Sequence, residues 1–244
     1  MAISSPPRRG GQAAAPHGQR GLITALVVTV VGVLVLGTAV VALLVRGGSS
    51  SSGVQGSGVA ATQSRALPAF SGLDLAGSND VTVAVGGRQS VVVHADSNLL
   101  GYVTTRVVAG TLVIGTTGSF TASSPMSVEV SVPSLAAVTL SGSGEISVNR
   151  IDASRLTVSL PGSGALYAGG TVTHLDVTLD GSGLAQLDNL VARDVHAVVG
   201  GSGLIRVTAT ANLNASVSGS GAVIYSGNPQ VTSSVTGSGA VSHG

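Results

Sequence analysis

His174, Asp176, Asp194 and His196 are the side chains best suited to chemistry in this chain. They form two pairs at the same offset of 20 residues, His174 with Asp194 and Asp176 with His196. If these pairs lie on adjacent strands in register, Asp sits beside His twice, in a two-by-two checkerboard. Arg155 and Thr157 flank it on one side, Asn212 and Asn214 on the other. Imidazoles and carboxylates together are the usual ligands of divalent metals and the usual general acids and bases. On an open sheet face the same groups are cross-strand pairs that neutralise one another. Such a face excludes little water, so we take Arg155, His174, Asp176, Asp194, His196, Asn212 and Asn214 as a candidate polar binding face. No residue is assigned as catalytic, cofactor-binding or metal-ligating.

The elements that must hold this face are set by a repeat. Gly-Ser-Gly triplets begin at Gly142, Gly162, Gly181, Gly201, Gly219 and Gly237, in steps of 20, 19, 20, 18 and 18 residues. A period near 20 is the mark of a stacked architecture. Aligned on the first glycine, the residue two before it is Leu140, Leu160, Leu179, Val199, Val217 or Val235. Four before stand Val138, Val158, Val177, Ala197, Ala215 and Ser233; six before, Ala136, Leu156, Leu175, Val195, Leu213 and Val231. Four after stand Ile146, Leu166, Ala185, Ile205, Val223 and Val241. Between these columns lie mostly Ser, Thr, Asp and Asn, so each triplet sits between two strands with apolar side chains alternately inward. Stacking coils in register places like positions about 4.8 Å apart in parallel strands, with the triplet at a corner. Glycine there is expected for its unusual backbone angles, and the stacked serines for hydrogen bonds along the column.

Earlier, Leu73 and Leu75 precede Gly77-Ser78-Asn79, and Val81, Val83 and Val85 follow it. This is the same phrase with Asn in the last place, a residue that tolerates left-handed backbone angles. Further strands are expected at 91–93, 102–108, 111–114 and 127–132, the last ended by Pro133.

Residues 1–20 are rich in Pro, Gly, Ala and Gln and are expected to be a disordered tail. Residues 21–45 carry no charge. As a helix they would span roughly 37 Å, enough to cross a bilayer core of about 30 Å with tilt. Arg8, Arg9 and Arg20 before the run, against Arg46 after it, put the amino end in the cytoplasm. The run is longer than a signal-peptide core and no Ala-x-Ala site follows, so an uncleaved signal anchor is expected. Arg8-Arg9 is followed by Gly-Gly-Gln and does not open a twin-arginine signal. Residues 46–66 read as a Gly/Ser-rich linker, leaving 67–244 as the folded domain.

Several functions are excluded by composition. The chain has no Lys, and beyond residue 46 seven Arg face ten acids, so no basic stripe exists to bind a nucleic acid. The absence of Cys removes disulfides, thiolate chemistry and a lipid-modified cysteine anchor. No triplet is followed by Gly-Lys-Ser/Thr, and none carries the Asp of calcium-binding repeats. Polysaccharide-active β-helix enzymes need converging carboxylates in a groove; Asp180, Asp188 and Asp194 are spread over the coils, which counts against that reading but leaves it as an alternative.

The Val-x-Leu-x-Gly-Ser-Gly phrase, the Tyr225-Ser-Gly-Asn-Pro229 segment before the last coil, and the early Phe70-Ser-Gly72 and Asp80-Val81 turn resemble the bacterial putative auto-transporter adhesin family with a head GIN domain. The resemblance spans residues 67–244. It implies an extracytoplasmic right-handed parallel β-helix, brings no catalytic residues, and departs from lipid-anchored relatives in using a membrane span. The expectation is therefore an all-β solenoid behind one transmembrane helix. It would serve as an adhesin-like or scaffold module contacting the membrane, envelope polymers or another envelope protein, with no cofactor. A polysaccharide-active enzyme and a signalling protein of the envelope are the alternatives.

Overall fold

Alternation of apolar and polar residues over most of the chain favours strands, and strands are what form. The computed structural model describes residues 53–244. The tail of residues 1–20 and the helix expected over 21–45 lie outside the described residues. No helix among the described residues is long and apolar enough to cross a membrane.

In chain order the strands are β1 (Val54–Gln55), β2 (Ala60–Ser64), β3 (Gly72–Leu75), β4 (Asp80–Val85), β5 (Ser90–Asp96), β6 (Val103–Val108), β7 (Thr111–Thr116), β8 (Phe120–Thr121) and β9 (Ser127–Val132). There follow β10 (Ala137–Leu140), β11 (Glu145–Leu160), β12 (Ala165–Leu179), β13 (Leu184–Val199), β14 (Leu204–Val217), β15 (Ala222–Ser226), β16 (Gln230–Val235) and β17 (Ala240–His243). They wind into a β-solenoid of about five turns. From β10 onward each strand pairs in parallel with the strand one repeat away. Leu160 stands beside Leu179, Leu179 beside Val199, Val199 beside Val217 and Val217 beside Val235. Ile146, Leu166, Ala185, Ile205, Val223 and Val241 form a second unbroken column. These are the columns the triplets define. Unequal repeat lengths are absorbed at bends away from them: the offset is 20 at Val148–Ala168 and 19 at Ile151–Gly170. Arg150, between those positions, adopts a φ of 62°.

The early Gly77-Ser78-Asn79 turn joins the same stack although some 65 residues separate it from Gly142. Leu75 pairs with Leu140, and Asp80 with Glu145. The intervening chain makes an excursion that closes one end of the solenoid. There β5 runs antiparallel to β2 and β9, and β6 antiparallel to β7. Strictly parallel winding therefore holds only beyond this cap.

Three expectations are corrected. The compact unit Gly53–Gly244 takes in part of the expected linker of residues 46–66. There β1 pairs with β8 and β2 with β5. In the first full coil Ala136 is exposed, and Leu135 takes the buried place. Pro133 and Ser134 precede it, and β10 begins only at Ala137.

The third correction concerns the corners. Of the triplet glycines only Gly237 has a positive φ, and Asn79 has none. Glycine is required because the coils touch. A Cβ on Gly142 would overlap the carbonyl oxygen of Gly77, and the same holds for Gly162 on Gly142, Gly181 on Gly162, Gly201 on Gly181 and Gly219 on Gly201. Corner hydrogen bonds run through the backbone rather than the serine hydroxyls: the amide of Ser163 donates to Gly142, that of Ser202 to Gly181 and that of Ser220 to Gly201, each at 3.2 Å.

Candidate functional site

Inward residues of β11–β14 form the thin core, with Leu156, Leu175, Val195 and Leu213 all 4% exposed or less. Residues on either side of that column must then point outward, because side chains alternate along a strand. This places Arg155 beside His174, His174 beside Asp194, and Asp194 beside Asn212. Two residues further along the strands, Thr157, Asp176, His196 and Asn214 form the parallel row. Apart from Thr157, the two rows line one shallow depression of about 490 Å³.

Within it each carboxylate has two partners. Asp176 is bound by the Arg155 guanidinium through Oδ2 and faces Nδ1 of His196 at 4.0 Å through Oδ1. Asp194 faces Nδ1 of His174 at 3.3 Å, and its other oxygen accepts from the Asn212 amide at 2.6 Å. All these side chains keep a quarter or more of their surface exposed. Exposed ion pairs contribute little to stability, a median of about 0–1 kcal/mol. Among the described residues no group of three or more His, Cys, Asp or Glu is placed to hold a metal ion. A nucleophile or base needs a substrate pocket that sheds water, and this depression is open along its length.

Two further residues line the depression, Gln230 and Thr232 on β16. Gln230 pairs with Asn212 and Thr232 with Asn214, so both rows continue into the last coil. Counting back from Gly237 finds them, seven and five residues before the triplet.

A second polar cluster gave no sequence signal. Asp96, at the end of β5, is fully buried. Its carboxylate accepts from the amides of Ser123 at 2.7 Å, Ser124 at 3.2 Å and Gly58 at 3.1 Å, and from the Ser124 hydroxyl at 2.8 Å. The Ser123 amide above all, with Ser124 and Gly58 adding to it, holds the carboxyl below its ordinary value against the opposing effect of burial. With its acceptor capacity filled, Asp96 is a clamp on the N-terminal arm rather than a reactive group.

The fold is a β-solenoid of about five turns, capped at one end, with a polar face laid across β11–β14 and β16. Residues 69–229 match the model of the family described as putative auto-transporter adhesin, head GIN domain, and the chain belongs to that family. An adhesin of Bacteroides fragilis, described as putative, is similar in structure, with a TM-score of 0.66 at 20% identity. The match covers 78% of this chain and 100% of that one. A protein of Parabacteroides distasonis described as a putative lipid binding protein has a TM-score of 0.51 at 22% identity, covering 78% and 99%. At these identities the likeness is one of fold. No curated protein matches the chain.

Proposed function

We propose that this chain is a single-pass envelope protein. Residues 1–20 lie in the cytoplasm, 21–45 span the membrane, and a right-handed solenoid outside acts as an adhesin-like or scaffold module. The observation that carries the binding role is the face itself. Its two rows of amide, imidazole, carboxylate and guanidinium groups cross five strands in register, from Arg155 to Thr232, with the opposite charges already paired. Such a surface offers directional hydrogen bonds at a fixed spacing of about 4.8 Å without a strong net field. It suits a polar envelope polymer or a protein surface better than a polyanion. The uncharged run of residues 21–45 and the arginines before it support the anchor and its direction. The non-enzymatic role rests on the open depression and on carboxylates already engaged by neighbours.

The test is retention of the full-length chain, held in lipid vesicles, on isolated cell-envelope material, with the supernatant assayed for released sugars. A variant with His174 and His196 both changed to Asn and Asp194 to Ala should fold and melt within about 1 kcal/mol of the parent, since only exposed pairs are lost. Retention should fall at least tenfold. Equal retention by parent and variant would remove the face from the binding role, and released sugars would replace the scaffold with an enzyme.

A further inference from the structure

The coil of β16 and β17 differs from every coil before it. β16 pairs only with β14, and β17 only with β15; no described strand pairs on their outer edges. The core columns run out into solvent there. Val231 is 40% exposed and Val235 44%, while Leu213 and Val217, beside them in the preceding coil, are each 1% exposed. An open, regular strand edge is a template for further pairing, and proteins normally blunt it with charge, proline or a covering loop. Here β16 is Gln-Val-Thr-Ser-Ser-Val, with Pro229 before the strand rather than within it, and no Asp, Glu, Lys or Arg occurs after Arg206. At the opposite end β6 pairs only with β7 and β2 only with β5, so strand edges are open there too, but those strands run antiparallel to their neighbours and do not continue the apolar columns.

We propose that this edge pairs with the same edge of a second copy of the chain, end to end across a two-fold axis. Two observations select a second copy. Two identical neutral edges meet without like-charge repulsion, whatever their orientation. The strand is also self-complementary in the antiparallel sense, in which directly opposed residues share a face. Centred on Ser233, the pairing sets Val231 against Val235 of the second copy, Val235 against Val231, and Ser233 against Ser233. Each valine that solvent now reaches is then covered by another, and the strand's free backbone groups gain partners. A two-fold contact of this kind closes at the dimer and builds no filament. The chain enters the solenoid at Gly53 beside β8, in the capped end, so the two entry points lie at the far ends of the pair. Combined with the anchor proposed above, on which this consequence alone rests, the dimer joins two opposed membrane surfaces.

The chain has no cysteine, so Ser233→Cys introduces a single thiol. Across an antiparallel pair the two Cα atoms would stand about 4.5–5.5 Å apart, inside the range a disulfide accepts. The full-length chain in mild detergent should show twice its protein mass by light scattering. Ser233→Cys should cross-link to a dimer under mild oxidation, and Arg106→Cys in the cap should not. Val231→Lys with Val235→Lys should return the chain to a monomer with unchanged circular dichroism. A monomeric parent, or equal cross-linking at positions 233 and 106, would overturn the pairing, even if the lysine variant failed to fold. Vesicles carrying the chain should cluster, and those carrying the lysine variant should not. A dimer that fails to cluster vesicles would overturn the bridging and leave the pairing intact.

Discussion

Replacing Gly181 by Ala tests the corner packing most directly. The new methyl carbon would overlap the carbonyl oxygen of Gly162 and lie 2.8 Å from that of Pro161. Both obstacles are backbone, so no side chain can swing aside. The adjacent coils must separate. Overpacking of this kind costs typically 1–3 kcal/mol. Separation also stretches the bonds from the Asp180 and Gly181 amides to Leu160, each already 3.2 Å long and each worth about 1 kcal/mol. A loss of roughly 3–5 kcal/mol follows by adding these terms. In a domain of this size 1 kcal/mol moves the midpoint by about 2–4 °C, so the Tm should fall by roughly 6–20 °C. The control is Gly101→Ala, in the 3-10 turn at Leu100–Tyr102, where a Cβ meets nothing within 4 Å. That change should be neutral, or stabilising by about 0.4–1 kcal/mol through the unfolded chain. Melting of both variants by circular dichroism decides the matter. If Gly181→Ala melts within about 2 °C of the parent, the coils are not in contact at their corners and the steric account is wrong.

Two further perturbations probe the core and the clamp. Leu179 is fully buried between Leu160 and Val199. Leu179→Ala should therefore cost about 2–5 kcal/mol in urea unfolding, and Leu179→Asp should abolish the folded state by burying a charge without a partner. Thr178→Asp, one residue away and facing outward, should stay within about 0.5 kcal/mol of the parent; equal losses at 178 and 179 would contradict the inward column. For Asp96 the folded carboxyl lies below its unfolded value, so its stabilisation is complete above about pH 4, the unfolded value. It is lost as pH falls from there through the folded value. Proteolysis within residues 53–64 should accelerate over that window, and Asp96→Asn should flatten the acid response of the arm. An arm whose cleavage rate is the same at pH 6 and pH 3 would show that the carboxylate does not hold it.

What the sequence revealed and what it hid follow from how each part of the fold is held. The columns were legible because burial constrains them: a polar residue in the Leu140–Val217 row would cost stability, so apolar types recur at the repeat spacing. The polar face was legible only in part. Its rows carry unlike residues, Arg, His, Asp, Asn and Gln, and solvent tolerates any of them, so Gln230 and Thr232 are found by counting and not by similarity. β2 was hidden for a sharper reason. Ala60–Ser64 exposes four of its five residues and is held by backbone pairing to β5 and by the Asp96 clamp near its start. Neither leaves an apolar period, and so the stretch reads as a linker. The triplet glycines were visible but invited the wrong cause, since the same residue answers both to a positive φ and to close backbone approach. The last coil joins these strands of argument. Its valines follow the core spacing although no described strand covers them, and Leu175 and Leu213 at the equivalent place are buried. A residue kept apolar where solvent reaches it is the pattern expected if burial there is supplied by a second molecule.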